Sequence, residues 1–288
     1  MQTISRRQLL CGASMGLTAG YLAAGTSRLA ADPLGLPIGF QVYPVREQIA
    51  KDFPGTLKEF ADLGYQTCEM CSPPGYARSG FGSLTSLKPA ETRRIIQDAG
   101  LRCESSHFTF RELKEDLPGS IAYAKELGLT QVIISSFGLP REGASMDAWR
   151  GAADESNKMG VEMQKAGLQL GFHNHAMEFE KIDGALIYDE LMKTFDPKLV
   201  KMQFQVSVIS QGYKAADFFK KHPGRFISIH LQDWVPGQRG SVAIGEGKVD
   251  WKELFGAAKS GGVRNYFVEV SPEGIKASYP FLHALTVS

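Results

Sequence analysis

Leu168, Leu170 and Phe172 alternate with Gln169, Gly171 and His173, so one face of this stretch is apolar and the other small or polar. That period of two marks a strand. From Pro37 onward comparable strand-like runs begin at Ile38, Tyr65, Leu101, Gln131, Leu168, Lys201, Arg225 and Asn265. Helical patterns lie between them, as over residues 89–99, 146–166, 215–222 and 251–259. Gly64, Gly100, Gly128, Gly167 and Gly262 stand where a helix hands over to the next strand, the expected place for a terminating glycine. Eight strand–helix units in about 250 residues predict an α/β fold with one closed (β/α)8 barrel, the TIM-barrel architecture. An open doubly wound sheet is the alternative, but no glycine-rich phosphate loop follows the first strand. No linker or low-complexity tract divides residues 37–288, so a single barrel domain is expected there.

Residues 1–31 read differently. Ser5-Arg6-Arg7-Gln8-Leu9-Leu10 precedes a weakly apolar, glycine- and alanine-rich run, and Ala30-Ala31 offers a cleavage site. The pattern predicts a twin-arginine signal peptide and a periplasmic location. The run is too weakly hydrophobic for a permanent membrane anchor.

A barrel strand turns one face to the helices and one to the axis, and functional side chains leave from the C-terminal strand ends. With the larger apolar set facing out, Gln41 and Tyr43 turn inward on the first strand, and Thr67 and Glu69 on the second. The fifth strand turns in His173 and His175, with Glu178 and Glu180 just beyond. The sixth contributes Gln203, Gln205 and Ser207, the seventh Ser228 and His230, and the eighth Phe267 and Glu269. The third strand ends at Ser106-His107. Four of the six histidines therefore gather at one mouth, a pattern suited to a divalent metal or to acid–base chemistry. The chain is 43% hydrophobic and 22% charged with a net charge of +1, so no basic field invites nucleic acid.

GFHNHAMEFE, RFISIHLQDW, AIGEGKVDWKELF and GGVRNYFVEV, in this order, resemble the xylose isomerase-like barrels known as sugar phosphate isomerases/epimerases. The resemblance spans nearly all of residues 37–288. It implies one divalent ion, Mn, Co, Zn or Mg, held at the mouth by the ends of the fifth to eighth strands. By the same resemblance His230 is the histidine ligand and Glu269 the final glutamate. Gln205 stands where relatives carry aspartate, a neutral oxygen donor for a charged one. The fifth-strand carboxylate is replaced by the His-Asn-His run, so His173, His175 or Glu178 takes its place, with His175 and Glu178 as the expected ligands. Imidazole donors shift preference away from Mg.

The chemistry implied is proton abstraction beside a sugar carbonyl, which isomerises or epimerises. A leaving group β to that carbonyl converts the same step into lyase cleavage of a keto-glycoside. Glu178 and Glu269 are the candidate acid–base pair, with His173 or His107 next. Gln41, Tyr43, Glu69, His107, Arg239 and Lys248 are candidate sugar contacts. Export favours free sugars, oxidised sugars or glycosides over sugar phosphates as substrates. A non-catalytic sugar-binding barrel is the competing reading, suggested by Gln205. A homo-oligomer is compatible with the sequence.

Three further motifs invite interpretation. Cys68 and Cys71 have redox or zinc spacing but lack a second pair, which favours a structural role. Gly245-Glu246-Gly247 suggests either an anion pocket or a plain turn. Asp233 is placed either to orient the His230 ring or to form a turn before Trp234.

Overall fold

The computed structural model describes residues 32–287. Residues 1–31, and with them the twin-arginine signal expected there, lie outside the described residues. The eight barrel strands are β1 (Gly39–Gln41), β2 (Thr67–Cys71), β3 (Arg102–Phe108), β4 (Gln131–Ile134), β5 (Gln169–His173), β6 (Val200–Gln205), β7 (Phe226–Leu231) and β8 (Asn265–Val268). All pair in parallel, each beside its predecessor in sequence, and β8 closes on β1 through Gly39–Phe267 and Phe40–Val268. This is the closed barrel that the alternating pattern predicts. A hairpin of Lys181–Ile182 and Ala185–Leu186 after β5 is an addition with no counterpart in the eight-unit pattern.

Strand parity divides the side chains as expected. Phe40, Leu170, Phe172, Phe204, Ile229 and Tyr266 face the helices and are wholly buried. Each such side chain contributes about 1.5–3 kcal/mol by leaving water. The axial positions are instead polar, and Gln41, Glu69, Ser105, Gln203, Ser228 and His230 are also wholly buried. A polar barrel centre of this kind is stable only when its groups satisfy one another.

Helix ends hold the strands in register with the mouth. The 11-residue helix Leu117–Leu127 ends on Gly128, whose φ of 89° lets its N–H reach the carbonyl of Ala124. The helix after β7, Trp251–Gly261, starts on Asp250, whose side chain accepts from the Glu253 N–H. No helix among the described residues is long and apolar enough to cross a membrane.

Candidate functional site

Glu69, on β2, is the centre of the axial network. Its Oε1 accepts from Ser105 Oγ at 2.6 Å and from Gln203 Nε2 at 2.8 Å. Its Oε2 faces His107 Nε2 at 3.3 Å and is bonded to His230 Nε2. Burial by itself would raise the carboxyl pKa, but His107 and His230 and these hydrogen bonds bring it down to about 2. His107 Nε2 also bonds Gln203 Oε1 at 2.7 Å. The imidazoles of His107, His173 and His230 form one buried cluster, with one nitrogen of each within 4.8 Å of the others.

His230 joins this layer to the mouth above it. Its Nδ1 lies 3.1 Å from Glu269 Oε2, just beyond the end of β8. Burial opposes charge on the ring, but Glu269 and Glu69 outweigh it and raise the pKa to about 10. The same Glu269 oxygen accepts from Gln205 Nε2 at 2.5 Å and from Gln232 Nε2 at 3.2 Å. Glu269 keeps 16% of its side-chain surface exposed, and that edge opens into a cavity of ≈ 640 Å³. Tyr43, Arg46, His175, Gln205 and Gln232 line the same cavity. Desolvation would raise the Glu269 pKa, but His230 and Gln205 hold it below the usual range, so its carboxylate faces the cavity ionised.

The buried polar atoms without a hydrogen-bond partner in this region include His173 Nδ1 and the acceptor Gln205 Oε1. A buried polar atom left unpaired costs about 1–3 kcal/mol unless a ligand satisfies it. They sit at the ends of β5 and β6, beside His230 of β7 and Glu269 following β8.

Several residues stand elsewhere than the sequence suggests. Glu69 and His107, expected as sugar contacts, are buried beneath the mouth and do not line the cavity. Parity places a side chain inside the barrel but not at a given depth, which depends on the stagger of the strands. Glu178, expected as both ligand and acid–base group, is buried on a short turn after β5. There its Oε2 accepts from the His175 backbone N–H at 2.7 Å, while burial lifts its pKa to about 7. Lys248 lines a separate small depression beside the helix Ala215–Lys221. Arg239 lies on an exposed loop outside the cavity lining.

Asp233 does not orient His230. Its carboxylate accepts from the backbone N–H groups of Trp234, Gly245, Gly247 and Val249 and from Trp251 Nε1, at 2.9–3.1 Å. The amides around Gly245 and Gly247 thus do gather an anion, and the anion is the chain's own. Cys68 and Cys71 are free and buried, Cys71 against Gln41, in keeping with a structural role.

Sequence reasoning left out Arg46, Ser105 and Gln232 and gave Gln203 no role. Gln203 was legible by parity. Arg46 follows the inward-facing Tyr43 by three residues, a spacing that places both on one side of a helical turn.

A family model for the xylose isomerase-like TIM barrel matches residues 57–282. The chain belongs to this family. An inosose dehydratase of Geobacillus thermodenitrificans (strain NG80-2) is 22% identical over 273 residues, covering 80% of this chain and 91% of its own. A sugar phosphate isomerase/epimerase from Parabacteroides distasonis ATCC 8503 superposes with a TM-score of 0.71 at 26% identity, covering 90% of this chain and 96% of that one. The IolI protein, solved with a bound zinc atom, shares the fold, with a TM-score of 0.60 at 13% identity over 86% of this chain and 95% of its own.

Proposed function

We propose that this xylose isomerase-like chain is a metal-dependent, sugar-modifying enzyme that removes a proton beside the carbonyl of a keto-sugar, giving isomerisation or epimerisation. The observation that carries the reading is the ionised Glu269 carboxylate, held by His230, Gln205 and Gln232 and open to the mouth cavity.

The residues present fit a divalent ion. His173, Gln205, His230 and Glu269 stand at four consecutive strand ends, and two of them offer buried donor atoms without a partner. These four would hold the ion, and a set with two imidazoles suits Mn, Co or Zn better than Mg. Bound there, it supplies a Lewis acid that polarises the sugar carbonyl and stabilises the charge left when the C–H proton departs. The zinc bound in the IolI protein supports the assignment.

The chain's own groups do the rest. Glu269 takes the proton, and His175, whose ring opens to the same cavity, returns it on the other side of the sugar. Glu178 fixes His175 through the backbone N–H rather than reaching substrate. Glu69 holds the far nitrogen of His230 and sets the ring's orientation, as a carboxylate behind a ligating histidine does. Gln41 positions Tyr43 by accepting its backbone N–H at 2.5 Å.

A second outcome follows from the same step. If the sugar carries a leaving group β to the carbonyl, the charge expels it and the enzyme acts as a lyase. The dehydratase relative supports this form. Export to the periplasm rests on the arginine pair of residues 6–7, the weakly apolar run that follows and the Ala30-Ala31 site, and Arg6→Lys with Arg7→Lys should keep the protein in the cytoplasm.

The deciding experiment incubates the chelator-stripped protein, with and without Mn²⁺, Co²⁺ or Zn²⁺, with a panel of keto-sugars in D₂O. Metal-dependent deuterium incorporation at carbon is expected, and product analysis separates epimer from elimination product. Sugar binding without exchange under any metal would leave a binding barrel and end the enzymatic reading.

A further inference from the structure

The mouth cavity holds one permanent cation among its lining residues, Arg46, and that residue has no carboxylate partner among the described residues. An arginine at a cavity edge usually waves in solvent at a large entropy cost to any ligand. Arg46 does not. Its guanidinium lies over the Tyr43 ring, 4.5 Å from the centroid, and its Nη1 donates to the Tyr43 carbonyl at 2.9 Å. Tyr43 in turn is braced edge-on by Tyr76 at 6.1 Å and is one of only three large apolar side chains left exposed among the described residues. Its backbone is anchored by Gln41, which reaches down to Glu69. The guanidinium is therefore pre-set, with one Nη1 bond satisfied and its remaining N–H groups unassigned. Gln205, Gln232 and the serines Ser207, Ser241 and Ser271 line the same cavity, hydroxyls and amides suited to sugar hydroxyls.

On the reading of this mouth as a sugar site, we propose that its substrate is an acidic sugar, of the uronic or aldonic class, whose carboxylate is paired by Arg46 while Tyr43 packs beside the sugar ring. The planar guanidinium matches a carboxylate with two parallel N–H bonds, which a neutral hydroxymethyl group cannot reproduce. Arg46 is thus the residue that separates acidic from neutral sugars.

The test is calorimetric titration of the full chain, in buffer containing Mn²⁺, with the methyl glycosides of glucuronic and galacturonic acid and with the methyl glycosides of glucose and galactose. Each pair differs only at C6. The acid of a pair should bind about ten- to hundred-fold more tightly, the range of one charge-assisted hydrogen-bonded contact. Arg46→Ala and Arg46→Gln should bring acid and neutral sugar to parity by weakening the acid alone, and Arg46→Lys should restore part of the preference. Each variant is first shown to melt with wild type. Parity already in the wild type overturns the proposal without any variant. A preference that survives both Arg46→Ala and Arg46→Gln also overturns it, because the carboxylate is then read by the metal. Failure of all four glycosides to bind the folded wild type overturns this proposal, and the exchange experiment on keto-sugars in D₂O decides the sugar reading separately.

Discussion

Two carboxylates near the seventh and eighth strands meet opposite fates. Asp233 is saturated by five donors, four of them backbone N–H groups of its own loop and the fifth the Trp251 indole. Glu269 is held by three side chains from the ends of two neighbouring strands and keeps one edge open to the cavity. Backbone donors cannot leave without unfolding the loop, so Asp233 is a structural anion. The donors on Glu269 are side chains, and its exposed edge leaves room for a ligand in the cavity. What separates the two acids is the open edge that Glu269 keeps and Asp233 lacks.

The sharpest break in this comparison is Glu269→Gln. Turnover on a keto-sugar should fall about a thousand-fold, within the range for losing a positioned general base, and the urea midpoint should fall too, because the Glu269 charge helps hold the buried His230 ring protonated. Retained turnover would transfer the proton abstraction to another group.

Next comes the pH response of the chelator-treated protein. His230 is raised from 6.5 to about 10, so the stability it contributes is complete below pH 6.5 and is lost as pH rises towards 10. Glu69 is lowered from 4.5 to about 2, so its contribution is present above pH 4.5 and is lost as pH falls towards 2. Urea midpoints across both windows should decline at each end, and a flat profile would dissolve the His230–Glu69 pair.

Asp233→Ala probes the other member of the comparison. It strands four amides and an indole, and should cost about 3 kcal/mol of stability from urea denaturation, with metal affinity retained. A variant as stable as wild type would mean that solvent replaces the carboxylate easily.

The smallest expected effect belongs to Gln205→Asp. An added negative charge should tighten metal binding by about tenfold, or about 1.4 kcal/mol, and slow turnover because a more anionic shell polarises the carbonyl less. Equal affinities in a metal titration would remove Gln205 from the ligand set.

Much of this architecture is readable in one dimension. The apolar alternation in Leu168–Leu170–Phe172 and its seven counterparts defines eight strands, and parity alone turns Gln41, Glu69, His173, Gln205, His230 and the Glu269 position toward the axis. Depth is harder to read. Tyr43 and Glu69 share an inward face, yet one lines the mouth and the other is sealed within the barrel, because the stagger between strands is a property of the closed sheet. The Glu69 and His107 positions were expected at the sugar for that reason.

The chain's order of residues by itself determined the barrel, the family and the gathering of four histidines at one end, because all three follow from short-range periodicity and local motifs. Only the tertiary structure decided which partners those residues keep. Glu69 and His230 lie 161 positions apart, and Gln205 and Glu269 lie 64 apart. No local pattern encodes whether an inward carboxylate meets an imidazole, an amide or open solvent. Asp233 shows the same limit at short range, where the folding back of residues 245–251 supplied the donors that make it structural. Charge, desolvation and hydrogen-bond saturation are set by neighbours in space, and those neighbours exist only once the barrel has closed.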